Sequence, residues 1–487
     1  MRITKVEAWW VRIPIERARQ HRSDFGQLTT FDAAILRIET DEGIVGWGEG
    51  KNAAGSAGTY GALVHLLNKE VAPRLIGLDP RNISAIWEML YNGVRHEKAA
   101  SDGHTMPELS RRGLSVAAIS AVDIALWDIL GKSVGEPVWR LLGGKKADSL
   151  PAYASGGWAN ADEIGDQLLS YIDKGGFKAV KMRVGSMDGA PHVSAARVKA
   201  ARKALGPAVD LMVDAHGTYT VSGAKRFIRL VEDCDLAWFE EPVVGDDKPG
   251  MAEVRAAGTV PIAAGESEAT RFDFRDLAML KAVDVFQPDP AFCGGISEAM
   301  KIAALASAFN LRFAPHLWAG APCFFAGLHL CAAAPSSFVI EYSLGANPMI
   351  HDLVEETVEA REGMIAVPDA PGLGFTIADP RHSYRFDDYK SKKNADTGLT
   401  HLTLVVGDSL ANSVGQTALA WGESVAIGQS FARDLGNLPP NICHPTYLAD
   451  QAQLLAKGQR QLKVQVLGEK EMEKYYGKTV SEIKASN

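Results

Sequence analysis

Cysteine is scarce in this 487-residue chain: five residues, Cys234, Cys293, Cys323, Cys331 and Cys443, odd in number and without a Cys-x-x-Cys pair. That excludes a disulfide scaffold and a zinc knuckle, and it fits a reducing compartment. Long apolar runs are missing too. The longest helical apolar stretch, Leu114 to Leu130, is interrupted by Asp123 and Asp128, so it reads as a buried helix and not as a membrane span. The opening residues, MRITKVEAWWVRIPI, alternate like a strand and lack an apolar h-region; no signal peptide is expected, and the cytoplasm is the expected location. No region carries charge of one sign. Lys and Arg number 51 against 59 Asp and Glu, interspersed, for a formal net charge of −8. Neither a nucleic acid nor a membrane surface is an expected partner.

What is present is a repeating texture. Residues 1 to about 130 begin with strand-like alternation (Ile3 to Val11, Ala33 to Glu39), turn at Asp41-Glu42-Gly43 and pass into helical patterns, an α+β start. From about 150 to 345, short apolar runs end in a polar residue, and an amphipathic segment follows each. The run ends are Lys181, Asp214, Glu240, Glu266, Asp289, His316 and Glu341. Their spacing is that of strand-plus-helix units, and seven in series predict an α/β fold: a modified (β/α) TIM-type barrel under an α+β capping domain. The expected boundaries are 1–130 for the cap, 131–345 for the barrel and 346–386 for a return to the cap. Residues 387–487 read as a linker and an appended segment.

Catalytic groups of such barrels sit at the C-terminal ends of strands. Asp214, Glu240 and Glu266 end three consecutive runs, each 26 positions from the last. Three converging carboxylates repel one another, and a hard, oxygen-seeking cation such as Mg²⁺ resolves the repulsion while leaving positions for substrate oxygens. Bound there, it would stabilise the enediolate formed when a proton leaves the carbon next to a carboxylate. His316 follows Asp289 by one unit; a carboxylate on one imidazole nitrogen fixes the tautomer and frees the other nitrogen as a base, though a structural histidine is the plain alternative. Lys181 and Arg183, two apart, face one side; Lys181 could act as an electrophile, and Arg183 is a poor proton acceptor. His216, two beyond Asp214, reads as lying on the same face, either to protonate a departing hydroxyl or only to hydrogen-bond. Glu341 could hydrogen-bond the substrate if protonated, or form a salt bridge.

Residues 1 to about 385 resemble the mandelate racemase-like branch of the enolase superfamily. The likeness is carried by Gly46-Trp47-Gly48-Glu49, Ile119 to Gly144, Phe177 to Gly185, Val213 to His216, Trp238 to Pro242, Ala264-Gly265-Glu266, Gln287-Pro288-Asp289 before Gly294-Gly295, and Ala314 to Leu317. The resemblance implies a Mg²⁺ triad and a His316–Asp289 general base. The family's Lys-x-Lys pair falls on Lys181 and Arg183, so two-base racemisation is disfavoured. Asp289 disfavours the cycloisomerase-like branch, which carries a lysine there. His216 stands where many members have Asn and resembles the acid-sugar dehydratases that use a histidine as general acid. The implied reaction is Mg²⁺-dependent dehydration of a sugar acid to a 2-keto-3-deoxy acid, by a homo-oligomer acting on a small molecule. A racemase or epimerase is the runner-up, and a non-catalytic scaffold the third reading. Capping loops would set specificity: Arg17 to Phe25, with Arg19, His21, Arg22 and Asp24, and Lys51 to Tyr60. The segment from about 397 to 475 resembles instead a fragment of a leucyl aminopeptidase (Ala418 to Glu423, Ala432 to Asp450, Leu462 to Met472), without the metal-binding motifs of those enzymes, so no peptidase activity is expected.

Overall fold

The structure is a computed structural model. It describes residues 1–377 except 16–19, 24–25, 53–58, 110, 345–346 and 357, and beyond them only 403–404, 417, 445–457, 464–466 and 471. The chain forms two compact units. One comprises Met1–Ala378 with Gly398–Gly407, the other Asp379–Thr397 with Asp408–Asn487. Within the second unit the described structure is essentially one helix, Pro445–Ala456.

The cap begins with strand β1 (Ile3–Pro14) and a short antiparallel hairpin, β2 (His21–Ser23) with β3 (Gly26–Leu28). Then β4 (Thr30–Thr40) pairs antiparallel with β1, and β5 (Val45–Gly50) pairs antiparallel with β4 through the turn expected at Asp41-Glu42-Gly43. The helix Leu114–Val134 lies across β5, and the sequence explains how. Gly46, Gly48 and Gly50 alternate along one face of β5, where a Cβ would come within 3 Å of the carbonyl oxygens of Ala125, Ala121 and Ala117 respectively. A helical period of four meets a strand period of two, and only glycine admits the backbone-to-backbone approach. The opposite face of β5 presents Trp47, Glu49 and Lys51. By length and composition this helix could cross a membrane, but 78% of its apolar window is buried inside the protein. Its interrupting acids are anchors: Asp128 accepts from the Trp47 and Leu373 backbone N–H groups and from Lys132, and Asp123 accepts from the Ser297 N–H.

The barrel strands follow in chain order: β6 (Ser149–Ser155), β7 (Ala179–Arg183), β8 (Asp210–Asp214), β9 (Leu236–Glu240), β10 (Ile262–Ala264), β11 (Val285–Phe286), β12 (Arg312–Phe313) and β13 (Ile340–Ser343). Each is parallel to the next, β13 pairs with β6, and a bridge from Phe313 to Ser337 sits at the remaining seam. The repeat count from sequence falls one short. It missed β6, whose SLPAYAS offers small residues in place of a bulky apolar run. Strand β14 (Met364–Ala366) adds antiparallel to β6. Tyr153, Met212, Trp238, Ala263, Val285, Ala314 and Val339 fill the barrel interior, and a larger apolar layer lies between strands and helices.

Candidate active site at the barrel mouth

Parallel register places the charged run ends side by side. Arg183 is opposite Asp214, Asp214 opposite Glu240, and Ser155 opposite Lys181. Lys181, Arg183, Asp214, Glu240, Glu266, Asp289, His316 and Glu341 are all buried in one mouth. The Lys181 ammonium reaches Glu240 at 2.6 Å, Glu341 at 3.0 Å and Asp214 at 3.3 Å, and Arg183 Nη1 donates to Asp214 Oδ2. Burial opposes the charge on Lys181, but Glu240 and Glu341 outweigh it and hold the ammonium well above its ordinary pKa.

Of the carboxylates expected to converge, Asp214 and Glu266 do so together with His216: one ligand atom from each lies within 4.8 Å of the others. Glu240 is turned instead toward Lys181, and its second oxygen accepts from Trp238 Nε1 at 2.9 Å and Gln287 Nε2 at 2.8 Å. Yet the same ammonium touches both Asp214 and Glu240, so the two carboxylates flank a single atom. His216 arrives by a different route from strand alternation. Strand β8 stops at Asp214, and His216 sits beyond it in a left-handed backbone conformation (φ 45°), its Nε2 3.9 Å from Asp214 Oδ2. Glu241, one past Glu240, is also left-handed (φ 38°). Such conformations in non-glycine residues carry strain on the order of 1–3 kcal/mol and cluster at functional sites.

The site is rich in negative charge for its depth. Burial, followed by the charge of Asp214, pushes Glu240 up to about 7; burial and Glu266 push Glu241 up well above the usual carboxylate range. Burial likewise opposes the charge on Asp214, but Arg183, His216 and Lys181 bring its pKa below the ordinary value. Glu266 Oε2 accepts no hydrogen bond, although His316 Nε2 lies 3.2 Å away. Hard oxygen donors converging at Asp214 and Glu266 with His216 beside them, and a buried Glu266 oxygen without a hydrogen bond, fit a divalent cation, with Glu240 next to Asp214 across Lys181.

His316 Nδ1 lies 2.8 Å from Asp289 Oδ2. Burial pulls its pKa down, but Glu266 and Glu341 outweigh that and raise it. Glu341 lies 3.0 Å from the Lys181 ammonium, the salt bridge that the sequence offered as its alternative role; burial would raise its pKa, yet Lys181, His316 and the Leu317 N–H (2.8 Å) hold it at about 2. Lys51, assigned from sequence to a specificity loop, is instead buried in the mouth, with Nζ 3.0 Å from Asp289 Oδ2. The strand alternation that puts Gly46, Gly48 and Gly50 on one face was the signal that could have found it. Of the other loop candidates, Arg19 and Asp24 lie outside the described residues, and His21 and Arg22 are described only as the backbone of β2. Next to His216 and Glu241 a cleft of about 620 Å³ opens, lined also by Arg112, Lys248 and Glu268.

Compared with known proteins, residues 4–143 match the N-terminal domain of mandelate racemase / muconate lactonizing enzyme, and residues 163–381 match the enolase C-terminal domain-like family. The D-galactarolactone cycloisomerase of Agrobacterium fabrum is 35% identical over 392 residues, 76% of this chain and 97% of that protein. The arabinonate dehydratase of Saccharolobus solfataricus is 34% identical over 365 residues, 74% and 91% respectively. The crystal structure of a racemase from Streptomyces coelicolor A3(2) with bound magnesium superposes with a TM-score of 0.67 at 31% identity, covering 77% of this chain and 97% of that one. The aminopeptidase likeness of residues 397–475 finds no support: neither family match extends past residue 381, and most of that segment lies outside the described residues.

Proposed function

The chain belongs to the mandelate racemase / muconate lactonizing enzyme family of the enolase superfamily, and from that premise we propose that it is a Mg²⁺-dependent sugar-acid dehydratase, a hydro-lyase. One observation carries the reading: His316 is gripped at Nδ1 by Asp289, while its Nε2 points at Glu266 in the same mouth as a buried Lys181 paired to Glu341. Asp214, Glu240 and Glu266 would hold the ion, which draws charge from the substrate carboxylate and so acidifies the neighbouring C–H.

The remaining steps belong to the protein's own groups. His316 Nε2 takes the C2 proton, and Asp289 stabilises the resulting imidazolium. Lys181 faces the developing enediolate charge, its position fixed by Glu240 and Glu341. The C3 hydroxyl then leaves as water, with a proton from His316 or His216, and the enol tautomerises to a 2-keto-3-deoxy acid. Glu341 is read as an anchor for Lys181. Arg183, a permanent cation donating to Asp214, offers no opposite-face base, which speaks against racemisation. The described cysteines, Cys234, Cys293, Cys323 and Cys331, are free and buried, in keeping with a reducing cytoplasm.

A panel of sugar acids incubated with Mg²⁺ and assayed for 2-keto product tests the proposal. Product from at least one acid supports it; Mg²⁺ binding without any 2-keto product across the panel overturns it. The cycloisomerase relative favours a second reading, action on a sugar-acid lactone, for which the same panel run with lactones would give isomer without loss of water.

A further inference from the structure

We propose that Lys51, delivered by the capping domain, is a positioning residue for the base: it keeps Asp289 ionised and thereby locks His316 in the tautomer whose Nε2 can accept a proton. The inference rests on the reading of His316 as the base. Strand β5 reaches the barrel with alternate side chains, and two consecutive ones of that face grip the chain on either side of His316. Glu49 accepts from the Gly320 N–H at 2.7 Å and the Cys323 N–H at 3.2 Å. Lys51 donates its backbone N–H to Ala291 O at 2.9 Å and its ammonium to Asp289 Oδ2 at 3.0 Å.

Asp289 is fully buried and has four donors around it. Oδ2 receives Lys51 Nζ and His316 Nδ1; Oδ1 receives the Ala291 N–H at 2.8 Å and the Cys323 thiol at 3.4 Å. An ionised carboxylate is acceptor-only, so Nδ1 must carry a hydrogen, and in the neutral ring Nε2 then keeps its lone pair. Lys51 Nζ is also 3.3 Å from Nδ1. Two donors that close are tolerable because both aim at the same oxygen. Without the ammonium, a protonated Asp289 could donate to Nδ1, which would put the hydrogen on Nε2 and block the base. In the serine-protease triad, loss of tautomer control lowers kcat by about 10⁴. Lys51 is 7% exposed, and its partners take up the ammonium, so it does not read as a substrate-selecting group.

Lys51→Met keeps the apolar stem and removes the charge. The expected result is a kcat lower by about 100-fold, with KM within about threefold and Mg²⁺ affinity unchanged, while Lys51→Arg retains activity within about tenfold. A kcat for Lys51→Met within threefold of wild type, or a loss shared equally by KM and Mg²⁺ affinity, would overturn the assignment. A second arm does not depend on turnover. In [¹⁵N]histidine spectra, the resonance lost in His316→Asn should show Nδ1–H in the wild type and change tautomer or lose that proton in Lys51→Met. An identical signal in both overturns the role of Lys51. A wild type that dehydrates nothing yet shows the tautomer change overturns only the reaction.

Discussion

His329 offers a stability test away from the chemistry. It lies fully buried in the helix Ala321–Ala333, and both ring nitrogens are used. Nδ1 is 3.1 Å from the Trp139 N–H, and Nε2 is 3.0 Å from Leu373 O. The amide can only donate and the carbonyl can only accept, so the ring must be neutral with its hydrogen on Nε2. Protonation would set an N–H against the Trp139 N–H inside the core. Burial accordingly lowers the pKa from 6.5 to about 4. The sign follows from which state binds the proton. Between pH 6.5 and 4 the unfolded chain carries a proton that the folded one refuses, so stability is present at neutral pH and is lost as pH falls. From pH 7 to pH 5 the loss is about 2 kcal/mol. His329→Gln can accept from Trp139 and donate to Leu373 without titrating, so that share of the pH dependence should vanish. Urea unfolding of both proteins at pH 7 and pH 5 measures it. An equal loss of stability in the two would refute the reasoning.

Gly48→Ala drives a Cβ into the backbone of Ala121 on the helix Leu114–Val134, where nothing flexible can yield; a loss of about 3 kcal/mol in denaturant unfolding is expected, with activity falling as Glu49 and Lys51 shift. Glu240→Gln should weaken Mg²⁺ binding by about tenfold or more in calorimetric titration, and an unchanged affinity would remove Glu240 from the ion's ligands.

Much of the site was legible because barrel topology converts spacing along the chain into adjacency. Asp214, Glu240 and Glu266 recur at a fixed interval, and the structure brings Asp214 and Glu266 close enough for shared ligation. The side-chain directions were less legible. Glu240 swings to Lys181 because a buried ammonium is the strongest available partner, and Glu341 pairs with it for the same reason. His216 reaches the site through a left-handed turn that no alternation rule anticipates. Lys51 was hidden because it follows a glycine-rich strand and precedes a loop, a setting that suggests surface. Its partner Asp289 is 238 positions away, and only the packing of cap on barrel joins them. Strand β6 was missed because its buried apolar residues are Leu150, Tyr153 and two alanines, with Pro151 between them, too small a signal for an apolar run.

The central claim, that His316 removes the proton beside a carboxylate, is met most directly by one comparison. Wild type and His316→Asn, both loaded with Mg²⁺, are incubated in deuterated water with the acid that the panel identifies. The wild type should yield the 2-keto-3-deoxy acid with solvent deuterium at C3, and the variant should bind Mg²⁺ equally while losing about 10³-fold or more in rate. Turnover by His316→Asn close to that of the wild type would contradict it.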